Sequence, residues 1–148
     1  MKTQFLTLAF VAITSLAFSQ PNMNPPRRVQ ESFQRTYPQS HATRWSFSAG
    51  NWSVWFDDRD NDNGQMTAHF DPRGRHLESN IRYDANDVPG PIREHLQKNY
   101  DGADNYEYTR IDRPGKEDLY RARFRHHKKY RTMYFDESGH ERGFHDRH

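Results

Sequence analysis

Six basic side chains fall between residues 121 and 131: Arg121, Arg123, Arg125, Lys128, Lys129 and Arg131, with no acidic residue among them. Aromatic rings interleave with them at Tyr120, Phe124, Tyr130 and Tyr134. Rings that stack and cations that neutralise phosphate are the chemistry of a nucleic-acid surface. The whole chain, however, carries a formal charge of only +2, which falls to +1 without Lys2, far from the balance of a basic domain. An acidic protein, an anionic glycan or a lipid headgroup therefore fits the segment better than nucleic acid. A plainer reading is that an edge hairpin carries charge to discourage edge-to-edge pairing.

Two other clusters could hold ions. Asp58, Asp60 and Asp62, followed by Gly64, begin like a calcium loop. Such a loop needs Gly at position 6 and Glu at position 12, and counting from Asp58 gives Asn63 and His69 instead. A solvated hairpin turn at Asn63-Gly64 accounts for the same residues. Nine histidines offer imidazole ligands, with His126-His127 in the cationic segment and His140, His145 and His148 near the C-terminus. No cysteine and no helical His-x-x-x-His pair fixes a geometry for zinc or copper, so a solvated tail is the default.

Catalytic signatures are missing. The chain has no Gly-x-Ser-x-Gly elbow, no phosphate-cradling glycine loop, no cysteine nucleophile and no carboxylate pair in an apolar setting that would split their pKa values. These absences point away from an enzyme and from a cofactor, and toward binding.

Residues 1–19 have the pattern of an export signal: Lys2, an apolar stretch from Phe5 to Phe18, and the small-x-small site Ala17-Phe18-Ser19. Cleavage would leave Gln20 as the first residue, in the periplasm or secreted, with no stable membrane insertion, since the stretch is shorter than the roughly 20 residues a spanning helix needs. Residues 20–25 are a Pro/Asn lead-in. Only 32% of residues are hydrophobic and 14% are aromatic, so rings must supply much of the buried area.

The elements that would position these side chains occur twice. Asn24 is placed to cap a helix opened by Pro25 and Pro26, with Val29, Phe33 and Tyr37 on one face and Pro38 ending it. The same stripe returns as Ile92, Leu96 and Tyr100 after Pro89, at an offset of 63, with Gly102 ending it. Period-two runs follow each helix: Trp45/Phe47, Trp52/Val54/Phe56, Met66/Ala68/Phe70 and Leu77/Ser79/Ile81, then Tyr106/Tyr108, Tyr120/Ala122/Phe124, Arg131/Met133/Phe135 and a short run near Phe144. Phe70-Asp71-Pro72-Arg73-Gly74 returns as Phe135-Asp136-Glu137-Ser138-Gly139 at an offset of 65. This predicts an α+β fold: a tandem repeat of one helix plus a four-stranded antiparallel meander, residues 26–86 and 87–148, forming one compact domain with both helices on one face of a shared sheet.

Tyr37-Pro38, Trp45, Trp55-Phe56, Phe70-Asp71 with Gly74, Val88-Pro89, and Phe135-Asp136 with Gly139 together resemble the PepSY-like, beta-lactamase-inhibitor-like domain of exported Bacteroidota proteins. The resemblance covers about residues 26–144. It implies two helix-plus-four-strand copies, a concave sheet face left open, and no catalytic residues. The chain departs from the secreted inhibitor by lacking cysteines, so the resemblance carries no target with it.

Strand parity identifies what the open face would present. With Trp52, Val54 and Phe56 inward, Trp55 points out; with Tyr120, Ala122 and Phe124 inward, Arg121 and Arg123 point out; with Met133 and Phe135 inward, Tyr130 and Tyr134 point out. Trp, Tyr and Arg dominate interface hot spots. Trp55, Arg121, Arg123, Tyr130 and Tyr134 are thus the expected partner-binding residues of a non-enzymatic exported binding module of inhibitor or sensor type, its partner an envelope or extracellular protein. The alternative from another class is a periplasmic metal-binding protein using the C-terminal histidines. The same rings and Arg stems could also simply cover one another across strands.

Overall fold

Proline sets where both helices begin. The carbonyl of Pro26 accepts the N–H groups of Val29 and Gln30 at 2.8 and 3.2 Å, starting α1 (Arg27–Thr36). The carbonyl of Pro89 accepts those of Ile92 and Arg93 at 3.1 and 3.3 Å, starting α2 (Gly90–Asn99). Proline has no N–H to leave unpaired, so it suits these positions. Asn24, expected as the cap, does not serve: Pro26 holds the cap position and no side chain caps the helix. Each helix ends on a tyrosine whose N–H closes the last turn, Tyr37 on Phe33 and Tyr100 on Leu96.

The computed structural model describes residues 24–57 and 65–143. The leader, the Asp58–Asp62 turn, Phe144, His145 and His148 lie outside those residues. After α1 come β1 (His41–Ser48), β2 (Asn51–Asp57), β3 (Gln65–Phe70) and β4 (His76–Tyr83); after α2 come β5 (Asp104–Asp112), β6 (Leu119–His126), β7 (Lys129–Phe135) and β8 (Glu141–Arg142). Every strand pairs antiparallel with the next, giving one open eight-stranded sheet in sequence order. The β1–β2 turn is Ala49-Gly50, because Asn51 already pairs with Ser48. Both turn residues have positive φ, as do His127 and Lys128 between β6 and β7, the pattern of two-residue hairpins whose twist matches the strands.

The two Phe-Asp-x-x-Gly motifs make hairpin turns that abut the helices. Asp71 Oδ1 accepts the N–H groups of Arg73 and Arg75 at 2.9 and 2.8 Å, and Asp136 Oδ1 accepts that of His140 at 3.0 Å. Gly74 and Gly139 then take positive φ, and a Cβ on them would lie 2.7 Å from the Arg28 carbonyl oxygen and 2.8 Å from the Pro91 carbonyl carbon. Glycine is needed at both for conformation and for room.

Residues directly opposite across antiparallel strands share a face. One row crosses six strands: Phe56, Met66, Ile81, Arg110, Tyr120 and Phe135. The core residues of both halves lie on this side. Val29 and Phe33 of α1 pack with Trp52, Val54, Phe56, Met66, Ala68, Phe70 and Ile81; Val88, Ile92 and Leu96 pack with Ala122, Phe124, Met133 and Phe135. Both helices therefore cover one face, as expected. A β-bulge where Phe70 pairs with His76 turns His76 inward, where its Nε2 lies 2.7 Å from Ser79 Oγ. Fully buried Ser79 also shares a hydrogen bond with the Tyr37 hydroxyl, so the polar ends of α1 and β4 satisfy each other inside the core.

Candidate binding face

The five predicted residues all lie on the helix-free face, because each precedes or follows an inward residue of its strand. Arg121 pairs directly with Tyr134 and Arg123 with Thr132, so β6 and β7 bring Arg121, Arg123, Tyr130 and Tyr134 together. Trp55 on β2 stands apart, four strands from Arg121, or roughly 19 Å at the usual strand spacing. Trp55, Arg121 and Arg123 are half-buried, and Tyr130 is 55% exposed. Tyr134 departs from expectation: it is only 9% exposed and packs with buried Ile111 and Leu119 on the outward face. Ile111 and Leu119 are direct partners, and their apolar pair takes the adjacent tyrosine into a small second core.

The cationic segment is also less bare than its sequence. Strand β5 lies beside β6, and Arg123 Nη1 meets Glu107 Oε2 at 3.1 Å, while Arg125 grips Asp104 with two bonds of 2.8 and 2.7 Å. That fork holds the Asp104 carboxyl below the usual carboxylate range and raises Arg125. Arg121 has no carboxylate partner among the described residues; its Nη2 donates to Thr109 Oγ1 at 3.0 Å. β8 pairs only with Tyr134 and Phe135, so β7 from Lys129 to Met133 is a free edge among the described residues. Lys129 and Arg131 on it are placed to discourage strand addition.

Guanidinium groups cover the rings of half-buried Trp55 and exposed Tyr130. Arg44 Cζ lies 3.9 Å from the Trp55 ring centroid and Arg123 Cζ 4.2 Å from that of Tyr130. Both are within cation–π range, and Arg123 is held from the other side by Glu107. The pairs flank a polar floor formed by the central strands. A cavity of about 270 Å³ there is lined by Gln65, Thr67, Asn80, Arg82, Thr109 and Arg121 among others. Arg82 reaches this lining from β4, where inward Ile81 turns it outward. The sequence signal for it is the alternation of Glu78, Asn80 and Arg82 with Ser79 and Ile81.

A second row on this face is Ser53, His69 and Glu78, with His69 opposite each of the other two. Ser53 Oγ and His69 Nδ1 are 2.9 Å apart. Burial lowers the His69 pKa, opposed by the Glu78 charge, so the imidazole is neutral at pH 7. No hydrogen bond joins His69 to Glu78 among the described residues, and the row lacks the third link of a nucleophile–base–carboxylate relay.

His140 lies beside Asp136, which also receives Arg142 at 2.7 Å. Among the described residues no three His, Asp or Glu side chains gather as metal ligands, and no helix is long and apolar enough to cross a membrane.

No protein-family model and no curated protein sequence matches the chain. Solved structures do share its fold. A Bacteroides eggerthii protein described as a candidate periplasmic protein superposes with a TM-score of 0.73 at 13% identity, covering 80% of this chain and 86% of its own. A DUF2874 family protein from Bacteroides ovatus gives 0.70 at 16% identity over 82% and 86%. A BLIP-like protein from Bacteroides fragilis gives 0.71 at 15% identity over 82% and 85% of the two chains, and at such identities the likeness is one of fold.

Proposed function

We propose that this protein is a non-enzymatic binding module that grips a protein of the cell envelope or its surroundings through the helix-free sheet face. One observation carries the reading: Trp55 and Tyr130 each lie beneath a guanidinium, on opposite flanks of a polar trough, on the sheet face away from both helices. Trp, Tyr and Arg in this setting offer rigid contact area and multidentate donors, the composition of interface anchors. The fold shared with a BLIP-like protein and a DUF2874 protein supports the same reading, as does the resemblance to the PepSY-like, inhibitor-like domain. Inhibition or sensing of the bound protein is the role that resemblance suggests.

Residues 26–86 and 87–148 are read as duplicated copies whose joint sheet curves into a concave face. Matching helix starts, tyrosine-ended helices and Asp-anchored turns support that reading. Export through the leader 1–19, with cleavage near Ser19-Gln20, places the module in the periplasm or outside the cell. The candidate periplasmic protein of the same fold agrees with that location.

Site-specific photo-crosslinking tests the face. A benzophenone side chain at Thr67, on the trough, is expected to trap an envelope protein in cells, with the yield cut by Trp55→Ala. The same probe at Gln97, exposed on α2, is expected to trap none. Equal trapping from both positions, or trapping from α2 alone, defeats the open-face reading.

A further inference from the structure

We infer that the trough between β3 and β6 is a carboxylate-binding site, and that Arg82 and Arg121 together clamp an acidic side chain of a protein partner. This deepens the open-face reading and rests on it. The cations of this face divide into two groups. Arg123 and Arg125 are spent on Glu107 and Asp104 across the strand pair, and Arg44 lies over Trp55. The side chains of Arg82 and Arg121 have no carboxylate partner among the described residues, and the Arg82 side chain makes no hydrogen bond there either. The two occupy one row, Arg82 opposite Thr109 and Thr109 opposite Arg121. Their Cα atoms are therefore two strand spacings apart, roughly 10 Å, close enough for long side chains to converge over Thr109.

The intervening residue shapes the site. Thr109 is short, leaves room above itself, and fixes one wing of Arg121 through its hydroxyl at 3.0 Å, so less side-chain freedom is lost when that guanidinium closes on a ligand. Thr67, Asn80 and Gln65 add neutral polar groups to the lining. Glu107 is the one acidic side chain there among the described residues, and its charge is answered by Arg123 at 3.1 Å. Among the described residues the trough thus keeps two guanidinium groups without a carboxylate partner, that of Arg121 half-buried and that of Arg82 exposed. Guanidinium forks match a carboxylate in plane and spacing, and the aromatic–guanidinium pairs on both flanks supply protein-type contacts around it. A glutamate or aspartate on a projecting loop is the occupant this arrangement fits.

The test uses NMR of the isotope-labelled protein with a hexaglutamate peptide as probe, a hexaglutamine peptide as control, and inorganic phosphate as a separate arm. Hexaglutamate is expected to shift the Arg82 and Arg121 side-chain Nε–H signals and the Thr109 amide, while hexaglutamine leaves them in place. Arg82→Gln and Arg121→Gln should each weaken hexaglutamate binding by about fivefold or more, as expected for a lost charge-assisted bond at a half-exposed site, while Lys128→Gln leaves it unchanged. Arg82 is exposed, so its variant is expected to keep the parent's melting temperature and to report binding alone. Equal losses from Lys128→Gln would reveal diffuse attraction and overturn the clamp. So would phosphate shifting the arginines when the peptide does not, or the absence of any shift. Crosslinking from Thr67 separates the two levels: an envelope protein trapped there, with no effect of either Arg→Gln change, leaves the open-face reading standing and removes the carboxylate clamp.

Discussion

Tyr37 packs on Phe56 with ring centroids 4.5 Å apart, joining the last residue of the α1 stripe to the middle strand of its meander. Phe33 meets the same ring edge-on at 5.0 Å. The second half repeats the arrangement, with Tyr100 and Phe124 at 4.9 Å. Phe56 and Phe124 are both fully buried. Replacing either by Ala removes the ring on which a helix rests and is expected to cost about 3–5 kcal/mol. Urea unfolding measures it, and a loss below about 1 kcal/mol, as at surface sites, would contradict this packing.

Glycine substitution separates conformation from crowding. Gly74, Gly139, Gly50 and Gly102 all have positive φ, but only the first two meet helix backbone within 3 Å of an added Cβ. Gly50→Ala and Gly102→Ala should cost about 1 kcal/mol, the left-handed strain alone. Gly74→Ala and Gly139→Ala should cost about 2 kcal/mol or more, because the helix backbone must also shift. Equal losses at all four sites would show that the turns do not abut the helices.

Much of this architecture was legible because it depends on local pattern: Val29/Phe33 and Ile92/Leu96 at helical spacing, period-two strands, and paired Phe-Asp-x-x-Gly turns. Asn24 misled because Pro26 already holds the cap position, so residue type was right for a cap and placement was not. The helix-free face was legible as a parity and no further. Which cations remain unpaired depends on Glu107 and Asp104, which are distant in sequence from Arg123 and Arg125 and meet them only through the β5–β6 register. Tyr134 was assigned the correct face and the wrong burial for the same reason: Ile111 is brought beside it by pairing between strands.

Two partly buried histidines, His76 and His69, give stability a pH dependence. Burial lowers the pKa of His76, opposed mainly by Asp112, and burial lowers that of His69, opposed by Glu78. A histidine whose folded value lies below the unfolded value of 6.5 takes up protons on unfolding, so its contribution is intact above pH 6.5 and is lost as pH falls through the folded value. The urea midpoint should therefore drop between pH 7.5 and 5.5. His76→Gln should make that drop smaller, whatever it does to stability at pH 7.5. An unchanged slope in the variant, or a midpoint that rises on acidification, would rule out neutral burial of His76.

Tyr134 and Tyr130 lie four residues apart, one on each side of Thr132, on the same face of one strand, yet should behave oppositely. Tyr134 is buried against Ile111 and Leu119, so Tyr134→Ala opens a cavity in the outward cluster and is expected to cost about 2–4 kcal/mol. Tyr130 is mostly exposed and loses only the Arg123 guanidinium above its ring, a contact of about 0.5–1 kcal/mol. For binding the order reverses. Tyr130→Ala should weaken capture of the protein trapped from Thr67 by about 2 kcal/mol, as for an exposed aromatic anchor. Tyr134→Phe, which keeps the packed ring, should leave that affinity nearly unchanged. If Tyr134→Phe weakens capture while Tyr130→Ala does not, the contact surface lies over the Ile111–Leu119 cluster, and the Arg123–Tyr130 pair serves the fold instead.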